Sequence, residues 1–267
     1  MAKKLGLALG SGGVRGLAHL GVLRVLEQEG IEVSFIAGSS AGALVGGLYA
    51  MHKSVDKLID LLSNNKWDVL NALIDPSFTG GLVKGEKLAS LLSGWFGEDS
   101  FEDLQIPLTV LTADLRTAEE IIFNQGKLIP AVRASMTVPG VFKPVEYEGR
   151  LLVDGGLVNP VPDEIVRAMG ADVVLAVNLD NHKIYVNGDE NYDSVTAASI
   201  RSINILRHYL AKYSTTTADI VLEPNIAMHS IIGLGSYLLP KYDLEKVIMA
   251  GEVVAINVVD EIKALMQ

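Results

Sequence analysis

No cysteine occurs among the 267 residues. Disulfide staples and thiolate metal sites are therefore excluded together. Basic residues are also scarce. There are 22 Lys and Arg against 32 Asp and Glu, a formal net charge of -10 and a pI of about 5.0. No basic stripe marks a nucleic-acid partner, and no polybasic patch marks an anchor on anionic lipid. Any membrane contact has to be apolar. Long apolar runs are missing as well. The uncharged stretch 36–51 is rich in Gly and Ser and falls short of the ~20 residues a spanning helix needs. The opening Met1-Ala2-Lys3-Lys4 imitates a signal peptide, but Gly10-Ser11-Gly12-Gly13 and Arg15 break the apolar run that follows. A cytoplasmic protein is expected, touching at most the inner face of a membrane and without a transmembrane segment.

What is present is a globular composition, 49% hydrophobic and 20% charged. No repeat, low-complexity tract or linker divides the chain, so residues 1–267 are expected to form a single domain. Its elements alternate. Residues 5–9 form an apolar run ending in glycines, a buried strand. Residues 14–28 place apolar side chains at helical spacing, with Gly30 as the stop. Residues 35–38 form a second strand and 41–51 a buried helix. This β-α-β-α start predicts a parallel sheet covered on both faces. Further helices are expected at 54–63, 85–96, 162–169, 195–213 and 244–266, the last two closing the domain. Further strands are expected at 108–113, 120–124, 151–153, 172–178 and 219–223. The polar stretch 181–193 reads as a surface loop.

Three short segments carry chemistry. Gly38-Ser39-Ser40-Ala41-Gly42 matches G-x-S-x-G between a strand and a helix. Such a corner can expose Ser40 as a nucleophile, flanked by the small residues Gly38 and Gly42 that let strand and helix approach. It can equally be a Gly/Ser turn that lets a helix pack on a sheet. The loop Gly10-Ser11-Gly12-Gly13-Val14-Arg15-Gly16 follows the first strand. Bare backbone N–H groups there suit either a pyrophosphate or the oxyanion of an acyl transfer. For the nucleotide reading, Arg15 stands where the third glycine of G-x-G-x-x-G belongs, and Glu32 lies near the place of a ribose ligand. The third segment is Asp154-Gly155-Gly156, an acid at the end of an apolar strand. That position serves either function or a turn. His19, His52, His182, His208 and His229 sit in no catalytic motif and read as surface or packing residues.

The three segments, in this order, resemble the patatin-like phospholipase family. Its Gly-rich loop ending in Arg-Gly, its G-x-S-x-G elbow and its D-G-[GA] motif are met by Gly12-Gly13-Val14-Arg15-Gly16, by residues 38–42 and by Asp154-Gly155-Gly156. Ala134-Ser135-Met136-Thr137-Val138-Pro139-Gly140-Val141-Phe142 is similar to the family's A-S-x-x-x-P-x-x-F block, and Asn159-Pro160-Val161-Pro162 also fits. The resemblance runs over residues 5–179. In one departure, Ser11 takes the place of the first of three loop glycines. The resemblance implies a three-layer α/β/α sandwich with a mostly parallel central sheet, and a Ser–Asp dyad without histidine. Ser40 is then the nucleophile, Asp154 the base, and the Gly12 and Gly13 N–H groups the oxyanion hole. Arg15 steadies the loop or binds an anionic head group. No metal or cofactor is implied.

The expected activity is acyl-ester hydrolysis, as a phospholipase, lysophospholipase or carboxylesterase, on a lipid-like ester at a membrane surface. Two stretches are candidates for a lid or acyl-chain wall, or for ordinary packing: 64–82, with the apolar stripe Trp67, Leu70 and Leu73, and 229–241, uncharged over 230–239. A nucleotide-binding protein and a patatin-like regulatory protein with little catalysis remain as alternatives.

Overall fold

The computed structural model describes residues 3–64, 85–180, 194–226 and 244–267. The expected loop 181–193, the candidate lid 229–241, all of the candidate lid 64–82 but Asn64, His182 and His229 lie outside the described residues. Among the described residues eight strands form one sheet: β1 (Leu5–Leu9), β2 (Val33–Ser39), β3 (Leu108–Asp114), β4 (Glu120–Phe123), β5 (Val145–Tyr147), β6 (Arg150–Asp154), β7 (Val173–Val177) and β8 (Ile220–Leu222). They pair in the order β5-β6-β3-β2-β1-β7-β8, with β4 also on β3. The run β3-β2-β1-β7-β8 is parallel and the β4, β5 and β6 pairings are antiparallel.

Helices cover both faces. Nine are described: α1 (Ala18–Gln28), α2 (Ala41–His52), α3 (Val55–Asn64), α4 (Glu86–Phe96), α5 (Leu128–Ser135), α6 (Asp163–Ala168), α7 (Val195–Tyr213), α8 (Leu244–Ile256) and α9 (Val259–Met266). The period-two alternation of β1 explains the layering. Leu5, Leu7 and Leu9 enter the larger core with α1, α2, α4, α5 and α8. Ala8 faces the smaller core with Val166 of α6 and Ala211 of α7. The result is a three-layer α/β/α sandwich with a mostly parallel sheet, as the resemblance implies. A central strand buried on both faces has to read as an unbroken apolar run, and β1 does.

Several elements differ from the sequence reading. The helix expected over 14–28 opens with a tight 3-10 turn, Gly13–Leu17, and becomes α-helical only at Ala18. The Arg15 N–H bonds the Gly12 carbonyl three residues back, which draws the glycine loop tight. The single closing helix expected over 244–266 is two, α8 and α9. The break falls at Asn257 and Val258, poor helix formers, where the Val258 N–H turns back to Ala255. Lys263 then pairs with Glu29, and Lys3 Nζ donates to the Leu265 carbonyl at 2.7 Å. Helix α5 carries Pro130 in its first turn, where no N–H partner is required, and was hidden by it. The β5–β6 hairpin turns through Glu148 and Gly149, both at positive φ (47° and 77°). A Glu-Gly pair is a weak hairpin signal beside Asn-Gly.

The closing helices pack onto the start of the chain. Helix α8 crosses α1 with its backbone nearly touching. A β-carbon at Gly251 would stand 1.9 Å from the Ala18 carbonyl oxygen, and one at Gly21 the same distance from that of Ile248. Arg24 bonds Glu252 across the crossing at 2.5 Å. A methyl group at either glycine has to push the helices apart, at a cost of about 1–3 kcal/mol or more. Urea denaturation of Gly251→Ala is expected to show that loss. A midpoint equal to that of the natural chain would contradict the crossing.

Candidate active site

One edge of β3 positions the site. Strand β4 pairs with Val110–Ala113 along one side of β3, which leaves the other side for β2 and then β6, end to end. Strand β2 runs beside β3 up to the pair Ser39↔Leu111. At the next β3 residue, Thr112, the partner is Asp154 of β6. The chain leaving β2 at Ser40 and the last residue of β6 are thus brought to one point. Ser40 Oγ donates to Asp154 Oδ2 at 2.6 Å.

Ser40 stands at φ 55°, ψ -117° between β2 and α2. A left-handed serine costs on the order of 1–3 kcal/mol and persists only where its surroundings enforce it. They do. A β-carbon at Gly38 would lie 2.4 Å from the Gly42 carbonyl oxygen, and one at Gly42 2.0 Å from that of Leu9. The turn therefore closes only with glycine at both places. Ser135 ends α5 inside the block 134–142, with no motif spacing to mark its role. Its Oγ donates to the Leu111 carbonyl at 2.6 Å and accepts the Ser40 N–H at 2.8 Å. It pins the corner to the strand that carries it.

Asp154 is buried, with its second oxygen accepting the Gly156 N–H at 2.7 Å. Its own N–H donates to the Thr137 carbonyl. Burial pushes its carboxyl above the ordinary range. The Arg207 charge and the hydrogen bonds from Ser40 and Gly156 pull it partly back, and Asp180 adds to the rise. Gly155 packs under the Leu111 carbonyl and Gly156 against Ser11 Oγ, with no room for a β-carbon at either.

The glycine loop is laced to β7 and to the segment that precedes α6. The Gly10 N–H bonds the Val177 carbonyl, and the Ser11 N–H bonds that of Pro160. Gly13 takes φ 57°, and Gly16 lies against Ala41. Among the described residues the Gly12 and Gly13 N–H groups donate to no protein group. The Arg15 side chain is turned to the loop and its neighbours. Arg15 is 4% exposed. It donates to the Gly12 and Leu179 carbonyls and to Asp180 Oδ1. Asp180 accepts Arg207 on its other oxygen at 3.0 Å and His208 Nδ1 on its carbonyl. Burial raises its carboxyl, yet Arg207 and Arg15 hold it below the usual range. Neither Asp180 nor Arg207 lies in a motif, so no spacing could have found them.

Glu32 precedes β2, at the opposite end of the parallel sheet from the glycine loop. That is the wrong end for a ribose ligand of the loop, which follows β1. Among the described residues no histidine bonds Ser40 or Asp154. His52 ends α2.

Comparison with known proteins bears on these residues. A family model described as patatin-like phospholipase matches residues 7–166. The chain belongs to the patatin-like phospholipase family. The matched span holds the glycine loop, the Ser40 corner and Asp154, while Asp180 and Arg207 lie beyond it. Among curated relatives, an uncharacterised NTE family protein of Mycobacterium tuberculosis is 38% identical over 178 residues, 66% of this chain and 49% of its own. Patatin-like phospholipase domain-containing protein 6 of Homo sapiens is 33% identical over 181 residues, 66% of this chain and 13% of its own. The chain thus matches about half the length of the mycobacterial relative and far less of the human one. Among solved structures, VipD from Legionella pneumophila shares the fold at a TM-score of 0.55 and 13% identity, covering 97% of this chain and 67% of that one.

His19 supports the loop from beneath. It is fully buried, and its Nε2–H donates to the Gly10 carbonyl at 2.8 Å. Burial lowers its pKa from 6.5 to about 4. Between those values the unfolded chain binds a proton that the folded chain refuses. Stability is therefore complete above pH 6.5 and lost as pH falls towards 4. By urea denaturation the natural chain is expected to lose about 2 kcal/mol more than His19→Gln on going from pH 7 to pH 5. Equal losses would show that His19 is not held neutral.

Proposed function

We propose that the chain is a serine acyl-ester hydrolase working with a Ser40–Asp154 dyad. The observation that carries this reading is the 2.6 Å hydrogen bond from a left-handed, buried serine hydroxyl to a buried carboxylate. Ser40 Oγ attacks the ester carbonyl carbon while its proton passes to Asp154. The Gly12 and Gly13 N–H groups receive the developing oxyanion, and the N-terminus of α2 adds a favourable dipole. Collapse breaks the ester bond and expels the alcohol, which takes the proton from Asp154. Water, deprotonated by Asp154 in turn, attacks the acyl-serine, and Ser40 Oγ leaves with that proton as the acid is released. A carboxylate of ordinary pKa is a weak base for this task, and burial of Asp154 raises its basicity. No step calls for a metal or cofactor. Residues 1–267 act as a single domain in this reading, with α8 and α9 closing it.

Ester hydrolysis is expected to fall by at least about a thousandfold in Ser40→Ala and by about that factor in Asp154→Asn, with folding retained. The natural chain's kcat/KM should decline as acid protonates Asp154, without an inflection at histidine's pKa. Near-natural turnover in Ser40→Ala would remove the assignment. A natural chain that hydrolyses no ester would favour a regulatory role instead.

The substrate class is a lipid-like acyl ester, a lysophospholipid or medium-chain ester, taken at a membrane surface. The relatives' names support a lipid ester, and α7 supports the surface. Leu206, Tyr209 and Tyr213 form a stripe on it, 69%, 63% and 76% exposed, opposite the side on which Ala211 is buried. Tyrosine and leucine suit the boundary between head groups and acyl chains. Among the described residues no helix is long and apolar enough to cross a membrane. Cosedimentation with phosphatidylcholine vesicles is expected, and Leu206→Glu with Tyr209→Glu should abolish it. With a net charge of -10, added anionic lipid should not strengthen it. Undiminished pelleting of the double variant would reject the stripe. A rise in kcat/KM from acetyl to longer acyl esters should accompany vesicle binding.

A further inference from the structure

We propose that Arg207 is a positioning residue for the Ser40–Asp154 pair, tying Ser11 of the glycine loop to Asp180 and standing as the positive charge beside Asp154. The inference rests on the dyad reading above and adds to it a residue outside the matched family span. Arg207 Nη2 donates both to Ser11 Oγ and to Asp180 Oδ2, each at 3.0 Å. Ser11 Oγ and Asp154 Oδ1 flank the same spot over Gly156, 2.7 and 3.0 Å from where a β-carbon there would stand. The guanidinium therefore meets the loop at the place where the loop borders the carboxylate. Ser11 is what gives it a partner there. A glycine at this position would leave Arg207 joined to Asp180 without a tie to the loop.

The charges in this buried corner explain why a second arginine is needed. Asp154 and Asp180 are both buried carboxylates, and each raises the cost of ionising the other. Arg15 is committed to Asp180 Oδ1 and to the carbonyls of Gly12 and Leu179. Arg207, reaching in from α7, is the other cation. Among the described residues, the remaining titratable groups around Asp154 face elsewhere or carry no charge. His208 turns to the Asp180 carbonyl, and His19 is held neutral. Arg150 pairs with Asp114 towards the start of β6, and Arg133 on α5 lies by Gly85. With Arg207 removed, a single guanidinium among the described residues faces two carboxylates, and Asp154 takes up a proton more readily. Such an aspartic acid cannot accept the proton of Ser40.

The test is a direct titration of the Asp154 carboxyl carbon by nuclear magnetic resonance, the signal being assigned with Asp154→Asn. The natural chain, Arg207→Lys, Arg207→Gln and Arg207→Met are compared. The midpoint is expected to rise by about one unit or more in Arg207→Met and in Arg207→Gln, and to return most of the way in Arg207→Lys. Arg207→Gln retains a donor for Ser11 and Asp180, so it carries the same expectation if Arg207→Met fails to fold. The acid limb of kcat/KM for a soluble acyl ester should move with the carboxyl in each variant. An unshifted midpoint in Arg207→Gln would overturn the proposal. A midpoint that shifts in a chain hydrolysing no ester would uphold the place of Arg207 and overturn the hydrolase reading instead.

Discussion

Strand β3 has one edge to share, and β2 and β6 share it end to end. The site follows from that constraint. Backbone hydrogen bonding up to Ser39↔Leu111, and again from Thr112↔Asp154, fixes the spacing of two residues 114 positions apart in the chain. A backbone ladder does not slip without turning every side chain to the other face. Glycines at 38, 42, 155 and 156 then remove the β-carbons that would keep corner, helix and loop apart. Ser135 ties the corner back to the Leu111 carbonyl at the junction itself.

Around this backbone frame the molecule places charge where solvent is nearly excluded. Buried carboxylates are costly unless paired. Asp180 meets that cost with two arginines, and one of them, Arg15, also closes the glycine loop. Asp154 meets it differently, with a serine hydroxyl, one backbone N–H and a shared guanidinium field. Its carboxyl is consequently raised where that of Asp180 is lowered. Two aspartates in one corner are tuned in opposite directions, and the one with the raised carboxyl faces the serine. This difference fits a structural role for Asp180 and the proposed proton-accepting role for Asp154.

Much of the sandwich is legible in the residues because its parallel strands are continuous apolar runs and several of its helices begin or end beside glycine, proline or serine. Leu5–Leu9 and Val195–Tyr213 match their expected bounds. What escaped is local and has local causes. Pro130 masks α5, a Glu-Gly turn hides β5, and Asn257 with Val258 divides the final helix. For the site, ordered motifs marked Ser40, Asp154 and the glycines, since each motif is a backbone demand written in small residues. Ser135, Asp180 and Arg207 carry no such demand. A serine at the end of a helix, an aspartate after a strand and an arginine on an amphipathic helix are ordinary in isolation. Only the closure of the sheet and the docking of α7 bring them to Ser40 and Asp154.

The proposed dyad is tested most directly by the covalent state it requires. A fluorophosphonate ester reacts with an activated serine and leaves a phosphonyl group on it. Peptide mass spectrometry of the labelled chain is predicted to find that group on Ser40 and on neither Ser39 nor Ser135, with labelling nearly lost in Asp154→Asn. A chain that remains unlabelled at Ser40, or one in which Asp154→Asn labels as fast as the natural protein, would contradict the dyad.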